Sequence, residues 1–542
     1  MTTTEERPLA ADPVGAPILD ELPLPPLTLK SAWASAIYDL ALCGGLDDPG
    51  HLFAAAGPIV RGISPRVRGR LQRAFPDVWM DNWTGEYIYV SSPEVIQEIY
   101  DLPPGNIDTE AWKKSYIPSL GSQSPFMLRG TEHAPVRRAL VAELTPARVE
   151  SYRERSVQRL DEMIDELPLH TPVNLHDFYT RFTQDVVLRV VFGWDDCSDL
   201  EELKDALYVA TRHYFQTKFI REAAYMLSAN LKLRDQRGPE ALDRDPAPFA
   251  GRDDRPPRFL KKAHRLRTHT DALIYRKIAE LRANPNDSVA SRVIAQGTQQ
   301  NPPWSEKRLR DIIGSLVVAG HETSVLAYAW ATQYIMHDPE VRAKVIAEAR
   351  EGLTDRYAQA CNTEALRMRP PVIASAPSPL KHDISLAGYR IRKGTLVFVM
   401  MAAVHYNEEV YDNPHEFRPE RWLDGKPERY GFVPFGIGPH RCPGSTFYLT
   451  EASIVTQRIF GRLDLAPRRP RVDRARFIFG TLSRPKSDTE VIISRRRPSS
   501  EVPWYRPRER GDYMALKEEL LLHSESSQPP RCPHLVTETT VD

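Results

Sequence analysis

The sequence predicts a mainly α-helical domain carrying small β-sheets, an α+β class, and three observations carry that prediction. The apolar run from Asp311 through Trp330 places hydrophobic residues on nearly every face (Ile312, Ile313, Leu316, Val317, Val318, Val325, Leu326), as a helix buried all round requires. Residues 150 to 235 read as successive amphipathic helices. Strand signals are short and few, namely GEYIYVSS at 85–92 and the pieces around Gly388 and Gly394 within 382–407.

In chain order, residues 1–30 are polar and proline-rich (Pro8, Pro13, Pro17, Pro23, Pro25, Pro26) and read as a flexible lead. The strand at 85–92 owes its reading to aromatic and β-branched content, and a helix follows over Pro93 to Tyr100. A mixed Gly, Ser and Pro loop occupies 105–130. EHAPVRR, Glu132 to Arg138, puts His133 and Arg137 four apart on one helix face, with Pro135 close to the helix start. After the amphipathic helices, Gly238 to Pro257 is a Pro, Asp and Arg-rich insertion expected to be exposed. EALR, Glu364 to Arg367, brings a carboxylate and a guanidinium within one helical turn, where they can touch. The strand-like pieces of 382–407 close the sheet, and beyond Arg496 the chain turns polar again, with Pro503, Pro507, Pro529 and Pro530. The expected division is therefore a lead at 1–30, a catalytic domain at 31–496 and an extension at 497–542. No internal repeat is present.

Composition narrows the functional classes. A chain of 542 residues can bury a large core. Its 72 Lys and Arg balance 72 Asp and Glu, which removes any general electrostatic pull toward nucleic acid or acidic membranes. Five cysteines without regular spacing argue against a disulfide framework and suit a reducing compartment. There is no secretory signal and no run of 18 apolar residues, so a soluble, cytoplasmic protein without a transmembrane anchor is expected.

The chemistry concentrates in FGIGPHRCPG, Phe435 to Gly444, a glycine-rich loop around Cys442 that runs into a helix. A buried thiolate needs stabilising, and the backbone N–H groups of the next turn, with the positive end of the helix near Pro443, are placed to do it. Gly436 and Gly438 can adopt backbone angles closed to other residues, Gly444 lets the helix approach a flat group closely, and Phe435 covers the sulfur side. The ordinary alternative is an inert cysteine in a turn, the reading preferred for Cys43, Cys197, Cys361 and Cys532. Upstream, AGHETS (Ala319 to Ser324) places Gly320 in mid-helix, at a cost of about 1 kcal/mol relative to Ala. Glu322 and Thr323 beside it form an acid-alcohol pair. Each has a plain structural alternative: Thr323 bonding back to the Ala319 carbonyl, and Glu322 pairing with a nearby cation.

The cysteine string matches F-G-x-G-x-H-x-C-x-G at every fixed position, and with AGHETS, EALR, FRPERW (Phe417 to Trp422) and EHAPVRR in order it resembles the cytochromes P450 over roughly residues 75 to 496. The resemblance implies haem b held between the helix containing Ala319 to Ser324 and the helix after the cysteine loop, with Cys442 as axial ligand of the iron. A thiolate there favours cleavage of bound dioxygen. It further implies that Gly320 borders the dioxygen groove, that Thr323 and Glu322 deliver protons, and that His133, Arg137 and His440 hold the haem propionates. Glu364, Arg367 and Arg421 would form a structural ion network beneath the haem. One departure stands out: where many relatives carry an arginine after the Pro-Pro-Val, this chain reads PPVIASAPSP, so that haem contact is unassigned and Lys381 is a weak substitute.

The resemblance implies a monooxygenase that places one oxygen atom from O2 into a C–H or double bond. No flavin or ferredoxin module is visible, so electrons are expected from a separate ferredoxin or flavodoxin-type partner with its reductase, with Arg137, Arg138 and Arg441 as docking candidates. The pocket would be lined by 105–130, Tyr208 to Met226, Ile373 to Pro377 and Phe479 to Leu482. The small Ala374, Ser375 and Ala376 leave room for a bulky substrate, and the Ala, Arg and Pro-rich composition leans toward hydroxylation of a hydrophobic natural product. Two rivals share parts of the pattern: a haem-thiolate isomerase or peroxide-using enzyme, and a non-enzymatic haem sensor or carrier.

Overall fold

In the computed structural model the described residues are 22–25, 59–63, 86–103, 105–107, 120–128, 130–194, 198–214, 261–375, 378–425, 430–478 and 482–506. The insertion at 238–257, the pocket positions 215–226, Ala376, Pro377 and Phe479 to Thr481, most of the lead and the tail beyond Arg506 lie outside them, as do Cys43, Cys197 and Cys532.

A four-stranded sheet opens the fold, in the order β1 (Ile59–Ile63), β2 (Glu86–Val90), β7 (Leu396–Val399), β4 (Ser378–Pro379). β2 runs antiparallel to β1 and parallel to β7, with Tyr87 opposite Leu396 and Val90 opposite Val399. The 85–92 strand is thus central, and it is buried at Tyr87, Ile88, Tyr89 and Val90. β1 is an addition that the sequence did not signal. Two residues beyond β2, Ser92 caps α1 (Pro93–Asp101), its hydroxyl accepting from the Val95 N–H at 3.2 Å. Ile384–Leu386 (β5) and Tyr389–Ile391 (β6) form a hairpin whose turn holds Gly388 at φ +77, and Gly394 (φ +81) precedes β7; both glycines occupy the left-handed region. A three-stranded sheet orders β3 (Pro172–Asn174), β11 (Glu490–Arg496) and β8 (Leu463–Pro467), and β9 (Ala475–Ile478) pairs with β10 (Leu482–Pro485).

The helices α2 (Gly130–Glu143), α3 (Pro146–Asp165), α4 (Leu175–Phe192) and α5 (Ser198–Tyr214) precede α6 (Lys261–Ala283) and α7 (Val289–Thr298). Then come α8 (Glu306–His337), α9 (Pro339–Glu351), α10 (Arg356–Met368), the short α11 (Met401–Val404) and α12 (Arg421–Asp424), and α13 (Ser445–Arg462). The all-round apolar run becomes α8, 32 residues long, started by Ser305, whose side chain accepts from the Arg308 N–H. By length and composition α8 could cross a bilayer, but 72% of its most apolar window is buried inside the protein. It packs against α4 through Tyr179, which meets Tyr328 edge-on and bonds the Thr332 hydroxyl at 2.7 Å, and through Val187 beside Gly320; burying an apolar side chain of this kind contributes about 1.5–3 kcal/mol.

Guanidiniums fix α13. Arg458 makes a two-pronged contact with the Asp161 carboxylate of α3, at 2.7 and 2.8 Å, and Arg462 adds bonds to the Asp161 carbonyl and carboxylate at 3.0 Å each. Residues 497–506 continue onto this surface. The Arg497 N–H donates to Arg462 O at 2.8 Å, Val502 is 1% exposed, Trp504 packs on the main core, and Arg506 pairs with Glu154 at 3.1 Å. A polar stretch adheres here because one buried valine and one carbonyl, accepting from Arg458, satisfy groups that α13 leaves open.

Candidate functional site

The Cys442 loop folds as its glycines require. Gly436 and Gly438 both sit at φ +71, Gly438–His440 makes a single 3-10 turn, and the Cys442 N–H donates to Phe435 O at 2.8 Å. At Gly438 a Cβ would come within 3.1 Å of the Tyr100 ring, so the loop also needs a bare backbone for space. α13 begins at Ser445, two residues beyond Pro443, with Gly444 as its cap. A Cβ on Gly444 would lie 3.8 Å from the Cys442 sulfur, in ordinary contact.

Protein crowds around Cys442 while its side chain keeps an accessible face, the condition of a residue lining an interior cleft. Burial pushes its thiol above the usual range. Against that, the Gly444 N–H directed at the sulfur and the guanidiniums of Arg441 and Arg137 favour the thiolate. Arg137 is half-buried on α2, its own pKa lowered by burial and supported by Cys442, and its Nη1 donates to the Arg441 carbonyl. His133, one turn earlier, is buried and lies ring to ring with His440, centroids 4.3 Å apart. α2 and the cysteine loop therefore bring His133, Arg137, His440 and Cys442 together. Phe435 is partly buried against the main core beside them.

These residues fit a haem. A lone thiolate supplies one ligand, which suits a metal whose in-plane ligands arrive with a macrocycle, and the adjoining imidazoles and guanidiniums suit two carboxylates. Cys361, by contrast, is fully buried and pushed well above the usual thiol range by that burial and by four surrounding carboxylates, consistent with an inert core cysteine.

On α8, Ala319, Gly320 and Thr323 are half-exposed in a helix that is otherwise largely closed. The Thr323 hydroxyl donates back to Ala319 O at 3.1 Å, the plain structural alternative, which leaves its lone pairs available to accept. Glu322 is 4% exposed, and burial raises its carboxyl to about 7, with Arg484 pulling the other way. The side-chain direction missing at Gly320 points at both Val187 methyls of α4, 3.5 Å away. His321 is neutral, lowered to about 4 by burial, its Nδ1–H donating to Val317 O at 3.0 Å.

Beneath the loop the ion network closes completely around Arg367. All five of its N–H donors are used: Nε and Nη2 on Glu364 (2.9 and 2.8 Å), Nη1 on the His405 and Pro414 carbonyls (2.8 Å each), and Nη2 again on Glu416 O (3.1 Å). Glu364 also accepts from Arg421 Nε (3.0 Å), Arg418 N (3.0 Å) and Trp422 Nε1 (2.8 Å). His405 belongs to none of the sequence motifs. Burial lowers its pKa to about 3; its Nδ1–H donates to Arg367 O at 3.0 Å and its Nε2 accepts from Val433 N at 3.0 Å, tying the network to the strand of chain that enters the cysteine loop. Tyr328, Tyr448 and Glu451, buried between α8 and α13, were equally silent in sequence.

The family profile described as cytochrome P450 matches residues 70–491. Among curated relatives, cytochrome P450 135A1 of Mycobacterium tuberculosis is 27% identical over 435 residues, 79% of this chain and 90% of its own length. The 9-beta-pimara-7,15-diene oxidase of Oryza sativa subsp. japonica is 28% identical over 262 residues, 44% of this chain and 52% of its own length. The solved structure of retinoic acid-bound cyanobacterial CYP120A1 superposes with a TM-score of 0.60 at 20% identity, covering 75% of this chain and 89% of that one, and so shares the fold. With a profile match over that much of the chain, on this fold, the protein belongs to the cytochrome P450 family of monooxygenases.

Proposed function

We propose that the protein binds haem b through the Cys442 thiolate and inserts one oxygen atom from O2 into a hydrophobic natural product, drawing electrons from a ferredoxin or flavodoxin-type partner and its reductase in the cytoplasm. The Cys442 sulfur, accessible yet deeply set among an N–H donor and two guanidiniums, carries this reading. Bound haem supplies dioxygen activation, to which a thiolate ligand lends electron density. The chain's own residues do the rest. The Gly444 N–H, Arg441 and Arg137 hold the charge on sulfur, and His133, Arg137 and His440 are suited to the haem carboxylates.

Proton handling falls to α8. Glu322 at about 7 holds and gives up a proton near neutrality, and Thr323, with its free lone pairs, can accept a hydrogen bond and pass a proton on when its hydroxyl turns from Ala319 O. Glu364, Arg367 and Arg421 serve as supports, and His405 passes their rigidity to Val433. An apolar substrate is supported by the rice relative, which is named for a diene, an apolar compound. The test is turnover of a panel of apolar substrates under heavy-isotope dioxygen with surrogate ferredoxin and reductase. One heavy oxygen atom per product molecule supports the reading. Isomerised product without label, or no electron uptake with any substrate, favours the isomerase or the carrier.

A further inference from the structure

A column of aromatic rings runs from the cysteine loop into the core and ends on an ionisable group. Phe435, whose carbonyl accepts from the Cys442 N–H, lies 6.0 Å between centroids from Tyr448 on α13. Tyr448 stacks on Tyr328 of α8 at 5.6 Å with planes 10° apart, and Tyr328 meets Tyr179 of α4 edge-on at 5.8 Å. Packing alone would be served by phenylalanine or leucine, because each buried phenol requires a hydrogen-bond partner. Two of the three phenols have one: Tyr179 with Thr332 Oγ1 at 2.7 Å, and Tyr328, which donates to Glu451 Oε2 at 2.5 Å with the Ser324 hydroxyl also in reach. The Tyr448 hydroxyl and Glu451 Oε1 are buried with no hydrogen-bond partner. Glu451 has a phenol and no cation among its described contacts.

A phenol that loses an electron becomes strongly acidic, so its oxidation proceeds readily only where a base already holds the proton's hydrogen bond. Tyr328 and Glu451 make that arrangement, buried in the core, where the low dielectric strengthens a hydrogen bond. Tyr448 stands between this pair and the cysteine loop. We propose that Tyr328 and Tyr448 form an internal electron donor to the haem pocket, which quenches oxidising equivalents that no substrate consumes, with Glu451 as the proton acceptor. The inference rests on the haem-thiolate reading above. In the step, the Tyr328 O–H bond breaks, its proton goes to Glu451 Oε2, and its electron passes through Tyr448 to a haem that a peracid has oxidised beyond the ferric state. The haem is reduced by one electron, and Tyr328 is left as a neutral phenoxyl radical.

The experiment mixes the haem-loaded full chain, ferric and free of substrate, with peracetic acid, freezes it within milliseconds and records electron paramagnetic resonance. A reduced aliquot is first checked for the red-shifted carbonyl Soret band. A radical whose spectrum narrows when tyrosine is ring-deuterated is expected in wild type, lost in Tyr328→Phe and in Tyr448→Phe, and diminished in Glu451→Gln. Either an undiminished tyrosyl signal in the Tyr328→Phe/Tyr448→Phe double variant or no such signal in wild type carrying the carbonyl band overturns the proposal. Variants that melt earlier but keep the signal reduce the column to packing and also overturn it. Wild type without the carbonyl band removes the haem-thiolate reading itself, and this inference with it.

Discussion

Glu322→Gln tests the electrostatics of α8 directly. Burial raises the Glu322 carboxyl from its ordinary 4.5 to about 7, and among the described residues Arg484 is the only cation acting on it. The folded protein therefore holds this proton more tightly than the unfolded chain. Stability from this group is fully present below about pH 4.5, is lost as pH rises, and levels off above about pH 7. Between pH 5 and pH 8 the folded state keeps a proton that the unfolded chain has released over about two pH units, at about 1.4 kcal/mol per unit, or roughly 2–3 kcal/mol. Glutamine preserves the shape and cannot ionise. The wild-type protein should thus lose about 2–3 kcal/mol relative to Glu322→Gln over that range. With an unfolding entropy on the order of 1 kcal/mol per kelvin for a chain this long, the difference between the two melting midpoints should change by about 2–3 °C. Differential scanning calorimetry of both haem-loaded proteins at pH 5 and pH 8 reads it. Parallel pH curves for the two proteins would refute the claim that Glu322 carries a proton into the neutral range.

Arg367→Ala leaves Glu364 buried without its main partner and three carbonyls without donors, so a loss of about 3–5 kcal/mol is expected by denaturant titration; a loss under about 1 kcal/mol would show that the network is not what fixes the loop. Gly320→Ala places a methyl 3.5 Å from the Val187 methyls, ordinary contact, and recovers about 1 kcal/mol of helix propensity. Its melting point should rise slightly, and a fall would mean the groove cannot accept the methyl. Gly461→Ala would set a Cβ 2.8 Å from Val502 Cγ1 and 3.1 Å from Ala349, at a cost of about 1–3 kcal/mol. Faster proteolysis within 497–506 is the expected readout, and an unchanged rate would separate that segment from the core.

The sequence made legible whatever was written locally. The cysteine loop announces itself because left-handed glycines and a thiol must occur at fixed spacing, and α8 because a run apolar on every face has nowhere to lie but the interior. Glu364 and Arg367 were visible as a pair one turn apart, but their value depends on carbonyls at 405, 414 and 416 that no spacing reveals. His405 illustrates the limit: it matters because its two nitrogens bridge segments 28 and 38 residues away. The tyrosine column is similar, since Tyr448 looks like any aromatic on an amphipathic helix until Tyr328 is stacked on it. The direction of Gly320 toward α4, and the docking of 497–506 on α13, likewise come from tertiary contact.

The most direct measurement is the carbon monoxide difference spectrum of the dithionite-reduced protein, for wild type and Cys442→Ser. The proposed ligation predicts a strongly red-shifted Soret band in wild type that vanishes in the variant while haem content and fold persist. A folded, haem-containing wild type with an unshifted band, or a shifted band that survives in Cys442→Ser, would contradict it.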